Sequence, residues 1–299
     1  MDTLISHLSD SLIDEILAAV GLPITRLTHA VLWRAFHPVT DRLAYLGSEF
    51  DQITKAQGLA AASAWALTHF CDGVQVHGDK NIPESGPLLV VSNHPGTYDA
   101  LALFSNLPGH AIRCVSNAIP FLNRLPHARD HFLFAPRDNA RERMLVLRNA
   151  IRHLREGGTL VYFASGHRDP DPAVYPGAER AFDQWLNVFD TFFEYVKNLR
   201  VLPTVVSGVV SAAWAVHPIT WLRRAQIDKQ RLAEFGQVIS QLRKPGQLML
   251  APRISFGPHF IEHDLRQVFG DGVLFGAVVE RVKTLFRQSS AYFGDFFQG

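Results

Sequence analysis

From residue 74 onward the chain alternates between short apolar runs and longer stretches of helical spacing, and few architectures accommodate that alternation. The runs lie at residues 74–77, 88–91, 111–115, 131–135, 159–163, 201–206 and 248–256, and turn-forming residues close them. Between them, residues 100–105, 139–155, 178–197 and 229–243 read as helices. A last amphipathic helix over 272–297 carries Phe275, Val278, Val282, Leu285 and Phe286. Apolar runs without alternation suit strands buried on both faces, and helices between them suit parallel crossovers. The expected fold is therefore α/β, a mostly parallel central sheet flanked by helices.

No β pattern precedes residue 74. Leu4, Ile5, Leu8, Leu12, Ile13, Ile16 and Leu17 fall at helical spacing, and Gly21-Leu22-Pro23 stops them. A second helix is expected over 25–36, ended by His37-Pro38, and a third pattern runs over 39–70. The chain thus divides into an N-terminal helical subdomain, residues 1–73, and an α/β domain, residues 74–299. The N-terminal helices suit two roles, packing onto the sheet or facing a bilayer. Leu32, Trp33 and Phe36 between Arg26 and Arg42 fit the second, as an interfacial helix.

Composition narrows the class. Hydrophobic residues make up 47% of the chain and charged ones 19%, enough apolar side chain for a core and too little charge for disorder. A net charge of +1 gives no electrostatic footprint for nucleic acid. The 14 histidines and two cysteines, Cys71 and Cys114, have no ligand-like spacing, so neither a metal nor a bound cofactor is expected. Two lone cysteines point to reduced thiols and a cytoplasmic-type compartment. Met-Asp-Thr-Leu at the start lacks the basic region of a signal peptide. Residues 201–222 are long enough to span a bilayer. Pro203, Ser207-Gly208, Ser211 and Pro218 interrupt them, and they read better as a buried strand followed by a helix.

The chemistry concentrates where the run at 88–91 ends, in Asn93-His94-Pro95-Gly96-Thr97-Tyr98-Asp99. Ligands of open α/β sheets gather at such carboxyl ends. An imidazole, a carboxylate and the amides of a starting helix crowd one place, the parts of a general-base site that also receives negative charge. The structural alternative is that Asp99 or Thr97 merely caps the helix and His94 is a loop histidine.

This stretch resembles the His-x4-Asp block of the glycerolipid acyltransferases, the group that includes 1-acylglycerol-3-phosphate acyltransferase. Phe134-Ala135-Pro136-Arg137 resembles the second block of that family. Phe163-Ala164-Ser165-Gly166-His167-Arg168 resembles the third, Phe-Pro-Glu-Gly-Thr-Arg, and Pro176-Gly177-Ala178 matches the segment that commonly follows it. Val201-Leu202-Pro203-Thr204-Val205-Val206 resembles the fourth, an apolar strand carrying proline. Four blocks in order over about residues 74–256 are far more specific than any one of them. A second His-x4-Asp pair, His259 and Asp264, lies beyond the blocks, lacks the Asn-His-Pro-Gly turn and reads as accidental.

The resemblance implies a fatty acyl transfer from acyl-CoA or acyl carrier protein to a lysophospholipid, glycerol phosphate or related lipid hydroxyl, in phospholipid biosynthesis. His94 would be the base and Asp99 its orienting partner, with Asn93 and Gly96 supporting the turn or the oxyanion. Arg137, Ser165, Gly166 and Arg168 would bind the phosphorylated acceptor, while Arg141 reads as a solvated helix residue. Peripheral contact with the cytoplasmic face of a membrane is the expected location. Ser165 departs from the family pattern, which has glutamate there, and a hydroxyl cannot reproduce that charge. Asp169 and Asp171 can compensate in principle, though both look like ordinary Asp-Pro turn residues. The rival readings are a serine-type lipid hydrolase built on Ser165, which lacks Gly-x-Ser-x-Gly, and an inactive lipid-binding relative.

Overall fold

A computed structural model describes residues 8, 9, 12, 25–107, 111–136, 139–269 and 274–293. Its strands are β1 (Gln75–His77), β2 (Leu88–Ser92), β3 (Ile112–Ser116), β4 (Phe132–Phe134), β5 (Thr159–Phe163), β6 (Arg200–Ser207) and β7 (Arg253–Phe256). They form one sheet in the order β1-β7-β6-β2-β5-β3-β4. All neighbours run parallel except β6 and β7. The expected α/β sheet is present, and β2 is its middle strand.

Burial explains why the β2 run is apolar without alternation. Leu88 and Val90 enter one core, with Phe70, Phe104, Leu202 and Ile254. Leu89 and Val91 enter the other, with Leu160, Phe192, Val201 and Val278. Both faces of the sheet are covered, so apolar residues are favoured on both.

The first face carries α1 (Arg26–Gln57), α2 (Leu59–Leu67), α3 (Asp99–Ser105), α4 (Pro120–Asn123), α7 (Ala212–Ala215) and α8 (Gln226–Arg243). The second carries α5 (Ala140–Arg155), α6 (Phe189–Tyr195), α9 (Glu262–Phe269) and α10 (Leu274–Phe293). Val39, Ala44, Phe50, Ala62 and Leu67 share the first core with β2. From Val39 on, then, the N-terminal helices pack onto the sheet. The first expected helix falls mostly outside the described residues. Of it, Leu8 and Leu12 are buried in the same core, and the Ser9 hydroxyl donates to Asp41 at 2.6 Å.

Four expectations need correction. His37-Pro38 does not end a helix, because α1 continues through Pro38 to Gln57. Pro38 deletes one backbone donor, and the burial of Val39, Ala44, Leu46 and Phe50 outweighs that loss. Residues 178–197 are not one helix. A short 3-10 turn, Ala178–Gln184, is followed by a break in which the Leu186 N–H donates to the Ala164 carbonyl at 2.8 Å. That bond pins the segment to the end of β5 and lets α6 restart at Phe189. After β6 comes only the single turn of α7 and a 3-10 turn, Pro218–Leu222, in place of the expected helix. Among the described residues no helix is long and apolar enough to cross a membrane. Finally, the run at 248–256 pairs only through a Cys71–Leu250 bridge before Pro252, and β7 begins after that proline.

Register sets up the site. Ser92 stands opposite Phe163 of β5 and Thr204 of β6, so these three central parallel strands end at one edge. The turns beginning at Asn93, Ala164 and Gly208 therefore emerge side by side.

Candidate active site

The turn after β2 is locked from several sides. Asn93 is buried, and its amide both donates to the Val206 carbonyl and accepts from the Val206 N–H, each at 2.8 Å. It thereby pairs like a strand residue with β6. The His94 N–H donates to Asp169 Oδ2 at 2.9 Å, and the Asp169 N–H returns a bond to the His94 carbonyl at 2.8 Å. Gly96 approaches its surroundings so closely that a Cβ would lie 2.9 Å from Val209 Cγ2 and 3.2 Å from Glu234 Oε2. Only glycine fits there without displacing those side chains.

This turn brings His94 back onto Asp99, with Nδ1 2.7 Å from Oδ2. Asp99 is fully buried and also accepts from the Gly96 N–H at 3.1 Å and the Ala100 N–H at 2.5 Å. Those amides therefore serve the carboxylate, and of the two roles expected for Asn93 and Gly96, turn or oxyanion support, their bonds match the first. They support the turn. The imidazole stacks on Phe163, ring centroids 4.4 Å apart. With Nδ1 donating to Asp99, Nε2 is the ring nitrogen left to accept a proton. Burial by itself would lower the His94 pKa, but the Asp99 charge and hydrogen bond overcome it and hold the pKa above the usual imidazole value. Arg168 pushes it down and Glu234 pushes it up.

The turn after β5 holds the third block. Gly166 has a φ of 66°, the left-handed region that glycine takes without strain. Ser165 is buried. Its hydroxyl donates to the His167 carbonyl at 2.6 Å, and among the described residues no imidazole nitrogen hydrogen-bonds to it. It is a turn residue, placed neither as the nucleophile of a hydrolase nor in the cavity described below. Arg168 does reach that cavity, with its Nη1 donating to Glu234 Oε2. Arg137 lies outside the described residues, and Arg141 is exposed as expected.

Asp169 and Asp171 are not ordinary turn residues. Both are buried, and Asp171 accepts four backbone N–H groups, those of Ala173, Gly208, Val209 and Val210, at 2.8–2.9 Å. Burial pushes both carboxyl groups up, Asp171 to about 6. Together they fasten the third-block turn to the His94 turn and to the loop after β6.

Helix α8 was the part least visible in the sequence. Gln230, Glu234, Gln237 and Gln241 recur at helical spacing, and all four are buried. Gln230 donates to the carbonyls of Pro95 and Asp169, and Gln237 to that of Val209. Gln241 accepts from the Tyr98 hydroxyl at 2.7 Å. Glu234 takes Arg168 and, at 2.8 Å, the Thr97 hydroxyl. A polar stripe ordinarily marks the solvent face of a helix; here it satisfies the loops at the site. The spacing was the available signal.

His94, Thr97, Gly166 and Arg168 line a cavity of about 1140 Å³. Its other walls are largely apolar, with Phe50, Phe70, Leu101, Phe121, Phe132 and Leu147 among them. That volume exceeds the roughly 300–1,000 Å³ of most small-molecule pockets. The other pair, His259 and Asp264, engages separate partners. His259 Nδ1 meets the Asn81 carbonyl at 2.9 Å, while Asp264 accepts from the Ile261 N–H at 3.0 Å. Among the described residues no cluster of three or more His, Cys, Asp or Glu side chains is placed to hold a metal ion.

The family described as Acyltransferase matches residues 73–207, from just before β1 to the end of β6. Residues 73–207 are an acyltransferase domain. His94, Asp99 and Arg168 fall inside it, whereas Glu234 and the rest of α8 lie beyond it. Among solved structures, the chain is similar to the 1-acyl-sn-glycerophosphate (LPA) acyltransferase PlsC from Thermotoga maritima. The identity is 18% and the TM-score 0.44, over 96% of this chain and 98% of that one. No curated protein was found to match.

Proposed function

We propose that this acyltransferase moves a fatty acyl group from acyl-CoA or acyl carrier protein to the hydroxyl of a lysophospholipid, glycerol phosphate or related lipid acceptor, as in phospholipid biosynthesis. The observation that carries the reading is the His94–Asp99 pair set in the wall of a large apolar cavity. His94 Nε2 takes the proton of the acceptor hydroxyl as its oxygen attacks the thioester carbonyl. The tetrahedral intermediate then collapses, breaking the C–S bond, and the imidazolium returns its proton to the departing thiolate. Asp99 fixes the tautomer and stabilises the imidazolium. No protein nucleophile is needed. The apolar walls suit the acyl chains, whose burial contributes about 0.8 kcal/mol per methylene. Mass spectrometry of lipids formed from mixed acyl thioesters and candidate acceptors tests this. Esterified lipid should appear with wild type and not with His94→Ala, and equal silence of both would favour an inactive lipid-binding relative.

Membrane contact is part of the same proposal, as a peripheral association. Trp221 and Leu222 are each 75% exposed and Val216 73%, in and just before the 3-10 turn that follows α7. Exposed Arg223 and Arg224 follow directly. Ile119, Met144 and Leu186 line the cavity and are also exposed, so its rim is apolar. Aromatic and aliphatic tips beside arginines suit an anionic bilayer surface. Trp221→Ser/Leu222→Ser should weaken binding to anionic vesicles by about tenfold or more, since two large apolar side chains lose burial. Turnover of a water-soluble acceptor should hardly change. Undiminished vesicle flotation would refute this contact.

A further inference from the structure

We infer that Glu234 selects the acceptor: by closing an ion pair with Arg168 beside His94, it favours an uncharged lipid hydroxyl over one carrying a phosphate monoester. This rests on the acyltransferase reading and names the acceptor class within it. The third block lacks the carboxylate of its family, with Ser165 in that position, yet a carboxylate stands at the site. It arrives from α8, outside the matched segment, and meets the arginine of that block.

Glu234 is only 3% exposed, and its Oε1 has no hydrogen-bond partner among the described residues. Its charge is therefore balanced chiefly by Arg168, with the Thr97 hydroxyl adding one bond. A phosphate that drew Arg168 away would leave a buried carboxylate unpaired, which is strongly unfavourable. A phosphate that left the pair intact would meet a guanidinium already neutralised, with a carboxylate behind it. An uncharged acceptor requires neither exchange, and the other N–H groups of the Arg168 fork can still donate to its oxygens. The basic groups contributed by the two site turns, His94, His167 and Arg168, each already face a carboxylate. Discrimination of this kind works against the wrong ligand as much as for the right one.

The test compares kcat/KM for transfer to 1-acylglycerol and to 1-acylglycerol 3-phosphate in matched mixed micelles, using the full chain with acyl-CoA and acyl carrier protein donors. Wild type should prefer the uncharged acceptor by about tenfold or more, and Glu234→Gln should shift the ratio toward the phosphorylated one by a similar factor. Glutamine keeps the shape and can still accept from Thr97. In the double variant Glu234→Gln/Arg168→Gln the shift should vanish, because no guanidinium is released. Preference of wild type for the phosphorylated acceptor overturns the inference without any variant having to fold. So does a folded Glu234→Gln that slows both acceptors equally, which is the behaviour of a merely structural residue. Transfer to neither acceptor from either donor overturns the acyltransferase reading itself.

Discussion

Replacing His94 with alanine lowers acyl transfer by about 10²- to 10⁴-fold, the usual worth of a positioned general base. The fold should survive. Asp99 keeps the Gly96 and Ala100 amides, and the turn keeps its bonds to Val206 and Asp169, none of which uses the imidazole. His259→Ala is the matched control, since composition treats the two His-x4-Asp pairs alike and geometry does not. Its turnover should stay within a few-fold of wild type. A folded His94→Ala enzyme with normal turnover would falsify the mechanism.

The same site fixes the sign of the pH dependence. Only neutral imidazole accepts the proton, so kcat/KM should rise with pH through the His94 ionisation. Asp99 holds that pKa above the usual value, so the midpoint should lie above about 6.5. In Asp99→Asn the attraction is gone and burial, which favours the neutral ring, dominates. The midpoint should then move to lower pH while the plateau falls, because the amide no longer orients the tautomer. A midpoint unmoved by Asp99→Asn would mean that another group titrates.

The sheet was legible because its strands are buried on both faces, which writes runs such as Leu88–Ser92 and Thr159–Phe163 plainly into the chain. The His94–Asp99 contact was legible because a Pro-Gly turn five residues long leaves little choice about where the carboxylate goes. What was hidden came from two sources. Pro38 reads locally as a stop, and only the tertiary burial around it explains the continuous α1. The α8 stripe of Gln230, Glu234, Gln237 and Gln241 reads as a solvent face, because a sequence does not say which side of a helix meets polar loops. Asp169 and Asp171 were missed for a related reason. Their Asp-Pro context predicts an exposed turn, whereas their partners lie far away in the chain, His94 for Asp169 and Gly208, Val209 and Val210 for Asp171.

Asp171→Ala should therefore be the most damaging single change to stability, although Asp171 touches no cavity wall. Its carboxylate gathers four backbone N–H groups from two separate segments, residues 173 and 208–210, in a fully buried place. Alanine satisfies none of them, and the Val209 and Val210 N–H groups are buried away from water. Each unsatisfied buried donor costs about 1–3 kcal/mol, so the variant should lose about 4 kcal/mol or more, beyond the range of most point mutations. Asp171→Asn keeps the volume but turns an N–H2 toward two of those donors, so it should recover little. Urea denaturation would register both as lower midpoints with an unchanged slope. The loss should reach function as well. Val209 packs beside Gly96, and Gln230 joins Asp171 to Pro95, so loosening the 208–210 loop frees the turn that carries His94. If Asp171→Ala unfolds within about 1 kcal/mol of wild type, the loop is held by something other than this carboxylate, and its distant control of the His94 turn fails with it.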